Sequence, residues 1–252
     1  MKKIIHLSDT HLGYDGLSDR MEEIVVGMIS KIENPRDYIV VHTGDIVEDA
    51  NLESSYDDAL KHFDRLKSAG FTVLFAPGNH DYGTGSIGHK KFINKFKESF
   101  YGTSDLSFPK KNIIDNIAFI ALDSMAEELN WHDRLFAEGE LGLTQLAALS
   151  KVLNNQDVKD AEYTVVYLHH HPFHPWPFHY LKDAEELGKV LQKSKIDALL
   201  FGHNHSGDVW NGEWGIKRVY DAGTSTGKGG KPSPHRVIDL SKTVETDYDA
   251  EF

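Results

Sequence analysis

The sequence predicts an α/β protein. Short apolar, β-branched runs alternate along the chain with amphipathic patterns of helical period, and this order is typical of α/β domains. Several of the apolar runs are nearly continuous, as in YIVVHT at residues 38–43, which indicates strands buried on both faces. No Pro, Gly or Ser-rich linker divides the chain. We therefore expect one domain over residues 1–252.

The predicted elements follow in chain order. The best-defined helix begins near Glu53, because apolar residues recur every three or four positions from Tyr56 to Leu66 and Gly70 supplies its stop. The last 40 residues read as strands joined by turns. The predicted strands are Lys3–Ser8, Tyr38–Thr43, Phe71–Ala76, Ile117–Leu122, Tyr163–Leu168 and Ile196–Phe201. The predicted helices are Met21–Glu33, Glu53–Ala69, Lys90–Phe100, Thr144–Leu153 and Asp183–Lys193.

Composition excludes several classes of function. The net charge is −12, which disfavours a nonspecific electrostatic grip on nucleic acid. No apolar run approaches the roughly 20 residues of a membrane span, so we expect no membrane segment. The chain has no cysteine, which excludes disulfides, thiolate-bound zinc and a cysteine nucleophile, and is compatible with the cytoplasmic location that we expect. Any metal must therefore use nitrogen and oxygen ligands.

Five predicted strands run directly into short polar segments. Side chains i and i+2 of an extended chain point the same way, so Asp9 with His11, and His203 with His205, can each present two ligands to one cavity. Ligands in α/β sheets bind beyond the carboxyl ends of strands, where such segments can converge. Nitrogen and oxygen donors of this kind suit Mn, Fe or Zn. The five segments are DTH at 9–11, GD at 44–45, GNHD at 78–81, HHH at 169–171 and GHNH at 202–205.

These motifs, D-x-H, G-D, G-N-H-D, H-x-P and G-H-x-H in that order, resemble the calcineurin-like metallophosphoesterase superfamily. The resemblance is greatest to its class III cyclic nucleotide phosphodiesterase and glycerophosphodiesterase branch. It implies a four-layer α/β/β/α sandwich of two mixed β-sheets flanked by helices. It also implies two divalent or mixed-valence metal ions (Mn, Fe or Zn) and hydrolysis of a small phosphodiester by in-line attack of a metal-bridging hydroxide.

The resemblance also implies a ligand set. It assigns Asp9, His11 and His205 to the first metal and Asn79 and His203 to the second, with Asp45 bridging both. The H-x-P spacing places the last ligand on His170. A register shift of one residue would move it to His169 or His171, which we expect to face away from His170.

The G-N-H-D motif supplies two further candidates. The resemblance implies that His80 protonates or stabilises the leaving oxygen. Asp81 could orient His80, or it could be a turn residue that caps backbone N–H groups.

Other residues near the motifs have ordinary interpretations. Glu48 and Asp49 could be acids behind the ligands, but acids are common in a first helical turn. Asp123 is more simply a turn acid. The segment at 223–229 lacks the spacing of a phosphate-binding loop and reads as a flexible loop beside the site. The aromatic segment with Phe173, Trp176, Phe178 and Tyr180 could stack a substrate base or pack in the core, with His174 and His179 as candidates for the pocket rim.

Two alternatives to a phosphodiesterase remain. The first is a phosphomonoesterase or nucleotide pyrophosphatase of the same fold. The second is a non-catalytic binding scaffold, which the presence of the whole ligand set and His80 disfavours. Relatives that cleave a lipid-linked UDP-sugar carry arginine at the position of His80, so a pyrophosphatase of that kind is disfavoured.

Overall fold

Two five-stranded sheets form the centre of the molecule in a computed structural model that describes residues 2–85, 88–125, 138–173 and 180–252. The strands are β1 (Lys3–Leu7), β2 (Tyr38–His42), β3 (Thr72–Phe75), β4 (Lys110–Ile114), β5 (Ile117–Ala121), β6 (Tyr163–Tyr167), β7 (Ala198–Phe201), β8 (Arg218–Asp221), β9 (His235–Ile238) and β10 (Tyr248–Ala250). The helices are α1 (Leu17–Lys31), α2 (Glu53–Ala69), α3 (Lys91–Tyr101), α4 (Gly142–Leu153), α5 (Gln156–Asp160) and α6 (Ala184–Leu191).

Both sheets are mixed. The first sheet has the order β10-β9-β1-β2-β3, with β1, β2 and β3 parallel and β9 antiparallel to β1. The second sheet has the order β4-β5-β6-β7-β8, with β5 to β8 parallel and β4 antiparallel to β5. The parallel strands of each sheet therefore end at one common edge, where ligand-binding loops gather in α/β folds.

Three apolar clusters hold four layers together. Between the sheets, Ile4 and Val41 of the first sheet pack in one cluster with Phe119 and Leu200 of the second. On the outer face of the first sheet lie α1, α2 and α3, and on that of the second lie α4, α5 and α6. This is the predicted α/β/β/α sandwich of two mixed sheets, because each sheet buries one face against its partner and the other against helices.

The predicted elements agree with the structure to within about two residues at most ends, and two elements were not predicted. Helix α1 begins at Leu17, four residues before the predicted Met21. Strand β4 was missed because it opens with two lysines and pairs only as a half-buried edge strand. Helix α5 has five residues, which is too short for a helical period to show. In the described ranges no helix combines the length and apolar character that crossing a membrane needs.

Candidate metal centre

The polar segments after β1, β2, β3, β6 and β7 meet at the edge where the parallel strands end. Backbone pairing continues past the strands here, since the Asp9 N–H donates to the Gly44 carbonyl and the His11 N–H to the Asp45 carbonyl. Five of the meeting residues adopt positive φ angles, which non-glycine residues rarely do and which cluster at functional sites. They are Asp9 (53°), His11 (45°), Asp45 (52°), His203 (79°) and His205 (58°).

Asp45 lies at the middle of the cluster. Its Oδ2 is 3.8 Å from His11 Nε2 on one side and 3.3 Å from His169 Nε2 on the other. Its Oδ1 accepts the backbone N–H of His80 at 2.8 Å. One oxygen is therefore held by the backbone, and the other faces two separate groups of donor atoms.

The first group contains Asp9, His11 and His205. Asp9 Oδ1 lies 3.2 Å from His205 Nε2 and 3.8 Å from His11 Nε2, and the two imidazole nitrogens are 3.2 Å apart. Burial raises the pKa of Asp9, but hydrogen bonds from the two histidines hold it well below its usual value. The result is a buried carboxylate with two ring nitrogens directed at the same point.

The second group contains Asn79, His169 and His203. His169 Nε2 lies 3.0 Å from Asn79 Oδ1 and 3.1 Å from His203 Nδ1. The Thr43 carbonyl lies 2.8 Å from His169 Nδ1, so a proton on Nδ1 is fixed there and the Nε2 lone pair faces the cluster. A carbonyl partner of this kind sets the tautomer of metal-binding histidines.

The donor set fits divalent cations. Asp9, His11 and His205 each offer a ligand atom within 4.8 Å of the others, and so do Asp9, Asp45 and His169. Burial lowers the pKa of His11, but hydrogen bonds to Asp9 and Glu48 raise it to about 9. The carboxylates thus create a field that favours positive charge, and the nitrogen and oxygen donors suit Mn, Fe or Zn.

His169 makes the closer contacts to this cluster, and the predicted His170 borders it. The His170 ring lies 4.5 Å from that of His203, and His169, His170 and His203 each offer a ligand atom within 4.8 Å of the others. His170 Nδ1 is, however, engaged by Ser124 Oγ at 2.7 Å, whereas His169 Nε2 faces Asp45 and Asn79. The sheet pairing extends past β6, because the Gly202 N–H donates to the His169 carbonyl. Alternation then turns Tyr167 and His169 toward the first sheet. These contacts favour His169 over the predicted His170 as the histidine of the second group.

His171 lies outside the cluster. Its ring packs against Phe201, with ring centroids 4.5 Å apart, and against Trp210 at 5.1 Å. Phe173 belongs to the same apolar region and stacks on Trp210 at 5.8 Å, so core packing is the role that the structure shows for Phe173. Trp176, Phe178, His174 and His179 lie outside the described residues.

His80 borders both groups of donors. Its ring meets that of His11 edge to face, with centroids 4.7 Å apart. Its Nδ1 lies 2.6 Å from the Glu48 carbonyl, and burial lowers the pKa of the ring. A neutral His80 thus donates through Nδ1 to the Glu48 carbonyl. Its Nε2 lies close to Gly85, because a Cβ built on that glycine would be only 2.3 Å from Nε2.

Asp81 does not hold His80. One carboxylate oxygen accepts the N–H groups of Ile46 and Val47 at 2.9 and 3.1 Å, and the other accepts that of Gly78 at 2.8 Å. The geometry therefore corrects the catalytic assignment of Asp81 in favour of the alternative, a buried residue that caps backbone N–H groups. Through these bonds it joins the segment after β2 to the segment after β3.

Glu48 and Lys228 border the site, although Glu48 was expected to be an ordinary acid and Lys228 to lie in a flexible loop. Glu48 Oε2 lies 3.0 Å from His11 Nδ1 and forms an ion pair with Lys228 Nζ. Burial raises the pKa of Glu48, but hydrogen bonds from His11 and Lys228 lower it to about 2. The position of Glu48, three residues after Asp45, was the one sequence feature that could have indicated its role. Lys228 has no spacing to any ligand motif that would have indicated its role.

The remaining acids have structural roles. Asp49 accepts the backbone N–H of Asn51, and Asp123 accepts the backbone N–H of Met125 and the hydroxyl of Tyr82. These contacts match the turn-residue interpretation of both acids.

Comparison with known proteins gives the family. The calcineurin-like phosphoesterase family model matches residues 2–207. The chain belongs to this family. A probable cyclic nucleotide phosphodiesterase of Rhodococcus erythropolis is 26% identical over 221 residues, which cover 80% of this chain and 64% of that protein. The chain thus spans less than two thirds of the length of this curated relative.

Two solved structures show the same fold at low sequence identity. The phosphopantetheinyl hydrolase of Mycobacterium tuberculosis matches with a TM-score of 0.57 and 15% identity over 88% of this chain and 90% of its own. GAP50 of Plasmodium, described as an anchor in the inner membrane complex, matches with a TM-score of 0.56 and 12% identity over 100% of this chain and 89% of its own. Both solved structures share the fold of this chain but differ in their described roles.

Proposed function

We propose that this calcineurin-like protein is a phosphodiesterase that hydrolyses small phosphodiesters of the cyclic nucleotide or glycerophosphodiester type. The observation that carries the proposal is the position of Asp45, whose Oδ2 faces His11 on one side and His169 on the other. A carboxylate shared between two groups of nitrogen and oxygen donors is the arrangement that a pair of metal ions needs.

The residues of each group have defined tasks in this proposal. Two divalent cations, when bound, would acidify the attacking water and neutralise charge on the phosphoryl oxygens. The first would be held by Asp9, His11 and His205, and Asp45 would be shared by both. The second would be held by Asn79, His169 and His203, with His169 in the place expected for His170.

His80 is the proposed proton carrier at the leaving oxygen. Its Nδ1 proton is held by the Glu48 carbonyl, so Nε2 of the neutral ring would take up a proton from the attacking water and pass it to the leaving oxygen. The ring is 16% exposed, and the backbone carbonyl fixes its orientation. A positioned imidazole of this kind contributes typically about 10²–10⁴-fold to a proton transfer step.

Diester chemistry is favoured by the relative from Rhodococcus and by the charge of the site. The one cation that the described residues place against the ligands, Lys228, is already paired with Glu48. The pair therefore adds no net positive charge for the second negative charge of a phosphomonoester. A phosphomonoesterase or nucleotide pyrophosphatase is the second candidate, and the described role of GAP50 makes a non-catalytic scaffold the third.

The test is hydrolysis of bis-p-nitrophenyl phosphate with added Mn²⁺, with and without a chelator. We expect turnover that the chelator abolishes and that Asn79→Ala reduces strongly. A panel of cyclic AMP, glycerophosphodiesters, dinucleotides and phosphomonoesters at one pH would then rank the substrate classes. If no metal-dependent turnover occurs and Asn79→Ala behaves like the parent, the enzyme proposal fails and the scaffold is favoured.

A further inference from the structure

Lys228 is held firmly beside the metal centre and is not a loose surface cation. The backbone N–H groups of Gly227 and Lys228 both donate to Thr224 Oγ1, at 3.2 and 3.1 Å. Thr224 Oγ1 in turn donates to the Asp9 carbonyl at 2.9 Å. Thr226 Oγ1 donates to the Thr10 carbonyl at 2.9 Å. The loop expected to be flexible is thus bonded to the first ligand segment, and its lysine has a defined place.

The side chain of Lys228 ends among residues of the site. Nζ donates to Glu48 Oε2, lies 3.3 Å from His11 Nδ1 and is 5.7 Å from the centroid of the Tyr14 ring. The side chains of Lys228 and Glu48 are only 20% and 24% exposed. Screening by solvent is therefore weaker than for a surface ion pair, and a change in either charge would reach the phosphoryl position.

Glu48 is fixed as well. Its backbone N–H donates to the Leu12 carbonyl at 2.9 Å, and its carbonyl lies 2.6 Å from His80 Nδ1. Its carboxylate accepts from both His11 and Lys228. The acid therefore holds two histidines of the site while it neutralises the lysine.

We propose that the Lys228–Glu48 pair sets the preference of the site for monoanionic over dianionic phosphoryl groups. This inference rests on the proposed function and concerns the substrate class of the same site. As long as Glu48 neutralises Lys228, the pair offers no unbalanced cation to a dianion. A dianion responds about twice as strongly as a monoanion to any added unit charge, since the Coulomb energy scales with the product of the charges.

Removing one charge or the other should therefore move the preference in opposite directions. Glu48→Gln retains an oxygen that can accept from His11 but leaves Lys228 unbalanced, so it favours the dianion. Lys228→Met keeps the length of the side chain but leaves Glu48 unbalanced, so it disfavours the dianion. The double variant restores a neutral site. A residue that only supports the fold would lower the turnover of both substrates alike.

The measurement is the ratio of kcat/KM for p-nitrophenyl phosphate to that for bis-p-nitrophenyl phosphate, with Mn²⁺ at about pH 8, where a monoester is a dianion. We expect Glu48→Gln to raise this ratio about tenfold and Lys228→Met to lower it about tenfold, with the double variant within about threefold of the parent. The matched controls are Glu185→Gln and Lys189→Met, from an ion pair on α6 that is 80% and 58% exposed, and neither should change the ratio.

Dianion binding supplies a second readout that does not need turnover. Calorimetric titration of each Mn²⁺-loaded protein with sulfate should give tighter binding for Glu48→Gln and weaker binding for Lys228→Met, with metal content measured in the same samples. If Glu48→Gln loses metal, the inference is tested by Lys228→Met alone, which should lower both the kcat/KM ratio and the affinity for sulfate. The inference is overturned if both single variants shift the ratio or sulfate affinity in the same direction, or if neither shifts them. The proposed function fails separately, if the parent hydrolyses neither ester.

Discussion

The two sheets contribute to the centre in different ways. The segments after the first-sheet strands supply both carboxylates, Asp9 and Asp45, together with His11 and Asn79. The segments after the second-sheet strands supply only imidazoles, from His169, His203 and His205. The first sheet therefore brings the negative charge that attracts cations, and the second sheet brings neutral donors that complete the geometry.

The strands themselves differ in the same sense. β1 and β2 carry the buried histidines His6 and His42 within the first sheet. His6 Nε2 lies 3.0 Å from Thr43 Oγ1, and His42 Nε2 lies 3.1 Å from Thr10 Oγ1. β5 and β7 of the second sheet are wholly apolar. The first sheet thus supports its charged segments with buried histidines, while β5 and β7 rely on apolar packing.

The charge contributed by the first sheet should be the most costly feature to remove. Asp45→Asn keeps the size of the side chain and its backbone contact to His80 but removes the charge shared by both groups. We expect both metals to be bound more weakly and kcat/KM for bis-p-nitrophenyl phosphate to fall by about 10³-fold or more, which exceeds the effect of losing a single neutral donor. Metal analysis and steady-state kinetics would check this.

Asp64→Asn is the matched control, since Asp64 is a 64% exposed acid on α2. Asp64→Asn should leave metal content and kcat/KM within about twofold of the parent, because exposed charges are well screened. If Asp45→Asn keeps two metals, charge from the first sheet is not what holds them.

A neutral donor of the second sheet should have a smaller and more local effect. His169→Ala removes the nitrogen that faces Asn79 and His203, so we expect loss of one of two metals after dialysis, measured by elemental analysis. His170→Ala should keep both metals but lower the free energy of unfolding by about 2–4 kcal/mol, as expected for a truncated buried side chain. The opposite result, with one metal lost from His170→Ala only, would restore the assignment made from the sequence.

The sequence could predict most of the fold and the set of ligand segments. The apolar runs mark the strands, and the short motifs that follow them mark the edge where the strands end. The histidine register could not be predicted, since β6 is buried on both faces and the run YTVVYLHHH gives no alternation of apolar and polar residues. Only contacts in the folded chain distinguish the histidines, such as that of His169 Nε2 with Asn79 Oδ1.

Contacts between distant parts of the chain were also beyond the sequence. Asp81 is adjacent to His80, yet its carboxylate reaches the backbone of Ile46 and Val47. Lys228 lies 180 residues after Glu48 and meets it only because the loop after β8 is bonded to the segment after β1. Local spacing carries no information on such contacts, which depend on how the two sheets pack.

The orientation of His80 offers a further test within the first-sheet segments. Gly85 has a φ of 85°, and a Cβ there would lie 2.3 Å from His80 Nε2. Gly85→Ala should displace the ring and lower kcat by about 10–100-fold, since a shift of about 1 Å can have such an effect. The Gly85 carbonyl accepts from Asn79 Nδ2 at 3.1 Å, so metal content is measured in the same samples.

The control for Gly85→Ala is Gly102→Ala, where φ is 73° and no atom lies within 4 Å of the added Cβ. Both variants carry about 1 kcal/mol of backbone strain. Only Gly85→Ala should lose activity, and an equal loss in both would mean that strain and not the position of His80 is responsible.

The smallest effect concerns the buried histidines of the first sheet. Burial, together with the charge of His42, lowers the pKa of His6 to about 3, whereas an unfolded histidine titrates near 6.5. Between these values the unfolded chain binds a proton that the folded chain does not, so the free energy of unfolding contributed by His6 is complete above pH 6.5 and falls on acidification. His6→Gln can keep the contact with Thr43 without titrating. In urea unfolding with a chelator present, the parent should lose about 1–2 kcal/mol more of its unfolding free energy than this variant between pH 7 and 5.

The exposed His89 is the control, and His89→Gln should follow the parent. If the free energy of unfolding depends on pH equally in His6→Gln and the parent, the buried histidine of β1 does not make the first sheet sensitive to acid.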